Sequence, residues 1–187
     1  FNIITFAWAG ESGVAAISVI LYTEMLLTSA LLGFVNGIAP VFSFNYGAGH
    51  HALLCRLLRR GLFWISLASV LALATAWLLA APLIHLFLPQ DNAVFLLTLH
   101  GFKLFSLSFL ICGFNIFTIG FFTAISQGRT SAICSFARNL AGISIFLLVL
   151  PHFLGLNGVW LAVPAADLCA LLLSLFGGWL GARLVKG

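Results

Sequence analysis

From Val14 to Phe44 the chain runs for 31 residues with one charged side chain, Glu24. Comparable apolar runs follow at about 61–88, 93–125, 131–150 and 159–184. About 20 apolar residues suffice for an α-helix to cross a bilayer core of about 30 Å. Inside hydrocarbon each backbone N–H and C=O must be bonded within the spanning structure, which leaves helices and closed barrels. Barrel strands are alternating segments of about 10 residues, and these runs are far longer. Composition agrees, with 63% hydrophobic and 6% charged residues against about 25% charged in soluble domains. The expected fold class is an all-α integral membrane protein with five complete transmembrane helices, preceded at residues 1–8 by the end of a sixth.

Charges between the runs give direction. Arg56, Arg59 and Arg60 follow the first span, Arg129 follows the third, and Arg183 and Lys186 close the last. Glu11 and Asp91 occupy the opposite turns, and the turn after Pro151 carries no charge. Lys and Arg concentrate in cytoplasmic loops. The arginine-bearing side and the C-terminus are therefore expected in the cytoplasm of a plasma or inner membrane. The net charge of +4 is a topology signal, and nucleic acid is not an expected partner. Turns are expected at 9–13, 89–92 and 155–158, with a basic loop or interfacial segment at 46–60. A further loop opens at 126–129, and Pro151 is expected to end the fourth span. Residues 1–8 lack an initiator methionine and a basic n-region, so they read as a helix end whose beginning is missing rather than a signal peptide. Five spans and a stub predict one partial lobe, residues 1–187, of a larger protein.

The first span carries a proline, Pro40, deep in its apolar run, which leaves the Asn36 carbonyl without its usual helical partner. Tyr22, Ser29, Asn36 and Ser43 recur every seven residues and form one polar stripe. Gly33 and Gly37 make a small-xxx-small patch suited to close helix approach, as do Gly177 and Gly181. Gly33, Gly37 and Pro40 are thus candidates for a kink or hinge. Two readings stay open: a bent helix packed in a bundle, or one that bends during transport.

Glu24, Lys103 and Asp167 lie inside spans, where ionisable groups are functional candidates. Counted from the outer ends at 1.5 Å per residue, they lie roughly 16, 15 and 15 Å deep. They are expected to share one polar pocket, with Lys103 between the two carboxylates and Asn115 and Ser108 extending it. The plainer alternative is that Glu24 and Asp167 brace neighbouring helices. Cys55, Cys112, Cys134 and Cys169 are scattered without a C-x-x-C pair, so neither a disulfide nor a metal site is expected. The histidines sit mostly at span ends, where snorkelling explains them. No catalytic or phosphate-loop pattern is present, so no enzyme activity and no cofactor is expected.

Three stretches carry a family resemblance. They are Pro40-Val-Phe-Ser-Phe-Asn-Tyr-Gly-Ala48 with Gly33 and Gly37 before it, Phe121-Phe-Thr-Ala-Ile-Ser-Gln-Gly-Arg-Thr-Ser131 with Arg138-Asn139 after it, and the run from Leu150 to Asp167. In these the chain resembles the C-terminal half of the multidrug and toxic compound extrusion (MATE) family. The resemblance implies a secondary antiporter of twelve helices in two lobes around a central cleft, exchanging organic, often cationic, compounds for H+ or Na+ by alternating access. The chain would be the second lobe, and its partners would be small organic cations, the lipid bilayer and an N-terminal lobe. Ala39 stands where many members have glutamine before Pro40. The third span has no Asp or Glu, so the coupling ion is unassigned and Glu24 is the best acidic candidate left. Two other readings are a lipid-linked oligosaccharide flippase of the same superfamily, which needs cationic cavity residues, and a non-transporting membrane module.

Overall fold

The computed structural model describes residues 1–86 and 93–184, all of whose long elements are helical. In chain order they are α1 (Asn2–Gly47), α2 (His51–His85), α3 (Ala93–Phe105), α4 (Phe109–Ala124), α5 (Gly128–Phe136), α6 (Ile143–Leu154) and α7 (Leu156–Leu184). A 3-10 turn (Ser106–Ser108) joins α3 to α4, and a π-helical segment (Ala137–Gly142) joins α5 to α6. Five stretches are long and apolar enough to cross a membrane: Asn2–Gly47, His51–His85, Val94–Ala124, Gly128–Leu154 and Leu156–Ser174.

The spans match the hydropathy reading, while several boundaries move. The turn at 9–13 is a break inside α1, where Gly10 adopts φ 60° and ψ −153°. Around Pro40 the backbone angles stay helical, so Gly10 is the one non-helical point recorded in α1. Arg56, Arg59 and Arg60 lie on α2 rather than in a loop, because the helix begins at His51. Long basic side chains can follow a helix out to water without unwinding it. Pro151 does not end the fourth span, which continues to Leu154. There Gly155, with φ 58°, turns the chain back within a single residue before α7. The expected turn at 89–92 and Lys186 fall outside the described residues, and the Gly177–Gly181 patch falls where only the backbone is described.

The α3–α4 span is the hub. It packs against α1, α2 and α7, and α4 also meets α5. Half of its most apolar window is buried, against 22–28% for the α1, α2 and α5–α6 windows. Two glycines let neighbours come close to it: Gly101 lies beneath the Trp160 ring, and Gly120 lies against Val35. One apolar core gathers Ile17, Ile20, Phe102, Phe105, Phe109 and Trp160. A second, nearer the arginines, gathers Leu31, Val35, Phe42, Ile65, Phe117 and Phe122. Serine and threonine hydroxyls along the spans donate to carbonyls four residues back, as Ser18, Thr23 and Thr98 do. That bond keeps a hydroxyl satisfied on an apolar helix. The two cores leave a polar seam between them, where α1, α4, α7 and the π segment approach one another.

Candidate functional site

Arg138 lies in the π segment roughly 15 Å from the start of α5, and Asp167 lies roughly 16 Å along α7 from the opposite end of the hairpin. Both are buried. Arg138 Nε donates to Asp167 Oδ1, and the two form the one ion pair found among the described residues. The π turn and Gly142 account for the meeting. A Cβ at position 142 would stand 3.2 Å from the Ala166 Cβ and would crowd the Ala137 carbonyl. Its absence lets α7 approach beside Asp167. A π turn is rare and recurs at functional sites.

Asn115 of α4 completes the buried centre. Its Nδ2 donates to the Asp167 carbonyl at 2.8 Å and to Oδ1 at 3.2 Å. Asp167 Oδ2 is buried and has no hydrogen-bond partner among the described residues. Glu24 of α1 is half-buried and within electrostatic reach of both Asp167 and Arg138. Cys112, one turn before Asn115, faces Thr28. The site thus joins one carboxylate, one carboxamide and one guanidinium in direct contact, with the Glu24 carboxylate within electrostatic reach.

Beside this centre lies a cleft of about 400 Å³ between α1, α4, α5 and the π segment. Its polar lining is Thr28, Asn36, Thr123, Ser135, Arg138 and Asn139, and Arg138 is its only charged lining residue. Arg138 Nη1 also reaches Asn139 Oδ1 at 3.4 Å, and the Thr123 and Ser131 hydroxyls bond at 2.7 Å. The centre therefore presents hydrogen-bond donors to an open cleft while its carboxylates stand behind them.

The sequence candidates separate into two groups. Glu24, Asn115 and Asp167 come together, and Asn36 lines the adjoining cleft. Lys103 does not join them. It is exposed on α3 and forms no ion pair among the described residues, so the expected Lys103 bridge is corrected to Arg138. Lys103 and Asn115 are twelve residues apart, roughly 120° around an ideal helix. When Asn115 faces Asp167, Lys103 points elsewhere. Ser108, seven residues before Asn115, does share its face and is fully buried. Gly33 and Gly37 face open space: among the described residues no neighbouring helix comes within 4 Å of where their Cβ atoms would stand. Pro40 is exposed beside them. His100 Nε2 meets Asn157 Oδ1 at 2.9 Å and ties α3 to the start of α7. Arg138 is absent from the sequence candidates; the one signal that marks it is its depth in the run 131–150, where any charge is costly.

The family profile MatE matches residues 1–148. Among solved structures, the inward-facing conformation of a multidrug resistance MATE family transporter of the MOP superfamily aligns with a TM-score of 0.90 and 21% identity, over 99% of this chain and 43% of that one. The outward-facing conformation of such a transporter aligns at 0.88 and 22%, over 99% and 42%. A MOP superfamily transporter from Pyrococcus furiosus Vc1 (DSM3638), whose binding pocket is described as having reverse polarity that suggests a different function, aligns at 0.88 and 20%, over 100% and 42%. At these identities the likeness is one of fold, and the chain spans about two fifths of each structure's length. A separate match of 29 residues, 69% identical, to the uncharacterized ABC transporter permease YbbP of Escherichia coli (strain K12) covers 16% of this chain and 3% of that protein. A segment that short carries no argument about fold.

Proposed function

The chain belongs to the MatE family, and from that premise we propose that it is one lobe of a two-lobed secondary antiporter that exports amphipathic organic compounds, cationic ones foremost, in exchange for H+ or Na+. The observation that supports the reading is the charge balance of the site: one guanidinium, Arg138, is paired with Asp167, and a second carboxylate, the half-buried Glu24, stands within electrostatic reach. An uncompensated charge is expensive inside a membrane. Arg138 compensates Asp167, which leaves Glu24 as the group to take up a proton or a sodium ion. Oδ2 of Asp167 supplies a further buried acceptor. The polar cleft beside the centre is the place for substrate, and a change in charge at Glu24 is felt there through Arg138. Alternating access then follows from rocking this lobe against a second of similar build. The membrane is the plasma or inner membrane, with the arginine-bearing side in the cytoplasm.

The test is accumulation of a fluorescent organic cation in cells expressing the two-lobed transporter that carries this chain, with Glu24→Gln alongside. The expected result is low dye with the parent and lost efflux in the variant at equal membrane expression. Efflux retained by Glu24→Gln would leave the exporter and remove Glu24 from coupling.

One observation favours a second reading. The only charge in the cleft lining is a guanidinium, which suits an anionic group such as the phosphate of a lipid-linked sugar. Failure of a cationic dye to leave cells, with verified expression, would favour a flippase of that kind.

A further inference from the structure

A groove runs between α1 and α2 on the face of α1 that lies roughly half a helical turn away from Asn36 and its stripe. Leu27, Phe34 and Val41 on α1 face Leu57, Trp64 and Ala68 on α2 across two adjoining cavities of about 290 and 300 Å³. The cavities share Phe34 and Trp64, so they lie end to end along the same face of α1 and α2. From Leu27 to Val41 the groove extends roughly 21 Å, deeper than one leaflet of a core of about 30 Å. Most of its wall is hydrocarbon, and the exception sits at one end. Arg60 lines the groove there. Arg56, one helical turn earlier, lies on the same side of α2, and Arg59 is adjacent; all three are exposed.

Among the described residues these arginines have no acidic counterpart nearby. No Asp or Glu occurs between residues 25 and 90, and the ion pair found among the described residues is elsewhere. Trp64 lies one turn deeper than Arg60, with its ring edge-on to Phe63 at 5.7 Å, and both rings are largely exposed. Aromatic rings beside basic residues mark the headgroup level of a bilayer. A basic pocket between transmembrane helices is suited to an anionic lipid headgroup. A protein partner would need its own anion at Arg60 and a long bulky apolar edge to fill the groove; a phospholipid supplies both in one molecule.

We propose that the α1–α2 groove is a binding site for an anionic phospholipid, with an acyl chain along Leu27, Phe34 and Trp64 and the phosphate held by Arg60 and Arg56. The site stands apart from the Arg138 centre, and its test does not depend on transport. The protein is reconstituted in vesicles of phosphatidylcholine containing a small fraction of lipid brominated on its acyl chains, either phosphatidylglycerol or phosphatidylcholine. Bromine quenches tryptophan fluorescence on contact. The chain has five tryptophans, so the contribution of Trp64 is taken as the difference from Trp64→Phe.

The expected result is that brominated phosphatidylglycerol quenches the Trp64 contribution with roughly fivefold stronger apparent binding than phosphatidylcholine for each arginine engaged. Arg56→Gln with Arg60→Gln brings the two lipids to equal quenching, and soluble glycerol 3-phosphate leaves it unchanged. Both substituted residues are exposed and form no ion pair among the described residues, so neither change removes a buried contact. Equal quenching by the two lipids in the parent, a phosphatidylglycerol preference that persists in the double variant, or a preference that survives Trp64→Phe would each overturn the site. Displacement by glycerol 3-phosphate alone would show that the acyl chain is not held in the groove.

Discussion

Removing one partner of the Arg138–Asp167 pair is expected to be worse than removing both. Arg138→Gln leaves a buried carboxylate without its cation, and Asp167→Asn leaves a buried guanidinium without its anion. Either change costs about 3–5 kcal/mol when a buried pair is broken from one side. The double variant replaces the charges by two amides that can bond to each other and to Asn115, so it recovers much of that loss. Thermal unfolding in detergent checks this, and additive losses in the double variant would mean that the two residues do not act as a pair. Asp167 and Glu24 were legible in the sequence because charge at depth is rare. Their partner was not, because a count along the chain gives depth and leaves the direction around the helix open. Lys103 has the right depth and the wrong direction, whereas Arg138 gains its direction from a π turn, which no periodicity in 131–150 announces. The spacing of Ser108 and Asn115 carried the directional information, and both are buried.

Helices were legible as spans, and their ends less so. A hydropathy run marks where a helix is in hydrocarbon, while the helix itself continues into the interface, as α2 does through Arg56, Arg59 and Arg60. Proline misleads in the same way, because a membrane helix keeps going where the freed carbonyl finds another donor or the backbone adjusts; Pro40, Pro82, Pro151 and Pro164 all lie inside helices. Glycine patterns need the fold before they can be weighed. Gly33 and Gly37 look like a packing motif and face open space among the described residues, while the isolated Gly101 lies against a Trp160 ring that is fully buried. The two kinds should respond in opposite senses. In Gly101→Ala the new Cβ stands 2.7 Å from Trp160, and a ring with no room to retreat makes the overpacking cost about 1–3 kcal/mol. Gly33→Ala adds a methyl group to open space and gains up to about 1 kcal/mol of helix propensity. Unfolding midpoints of the two variants in detergent check the signs, and destabilisation by Gly33→Ala would show that its face is covered within the lobe after all.

At the scale of the molecule, α1 presents three kinds of surface. One is buried in the lobe, one is the apolar groove beside α2, and one holds Tyr22, Ser29, Asn36 and Ser43, all exposed. A polar stripe in contact with acyl chains would forfeit hydrogen bonds that water or protein supplies, and Ser29 recovers only its own by bonding the Met25 carbonyl at 2.7 Å. The Asn36 carboxamide, which lines the cleft, has no such bond among the described residues. If this lobe faces a second one, the stripe lines the water-filled space between them and the groove lies towards lipid. Single-cysteine labelling separates these environments. Cys55 and Cys169 are exposed and Cys112 and Cys134 buried, so all four are first replaced in the two-lobed transporter. Asn36→Cys and Ser29→Cys are then expected to react with a charged, water-soluble thiol reagent, and Ala30→Cys and Val41→Cys, on the groove side, are expected to be at least tenfold slower, roughly the ratio expected when the thiolate must form in hydrocarbon. An organic cation that is exported should protect Asn36→Cys, which lines the cleft. Equal reactivity at all four positions would mean that α1 is not partitioned between water and lipid, and the two-lobed arrangement would lose its support. The lobe expressed alone is expected to show no dye efflux, because a cleft with one wall cannot be closed from either side.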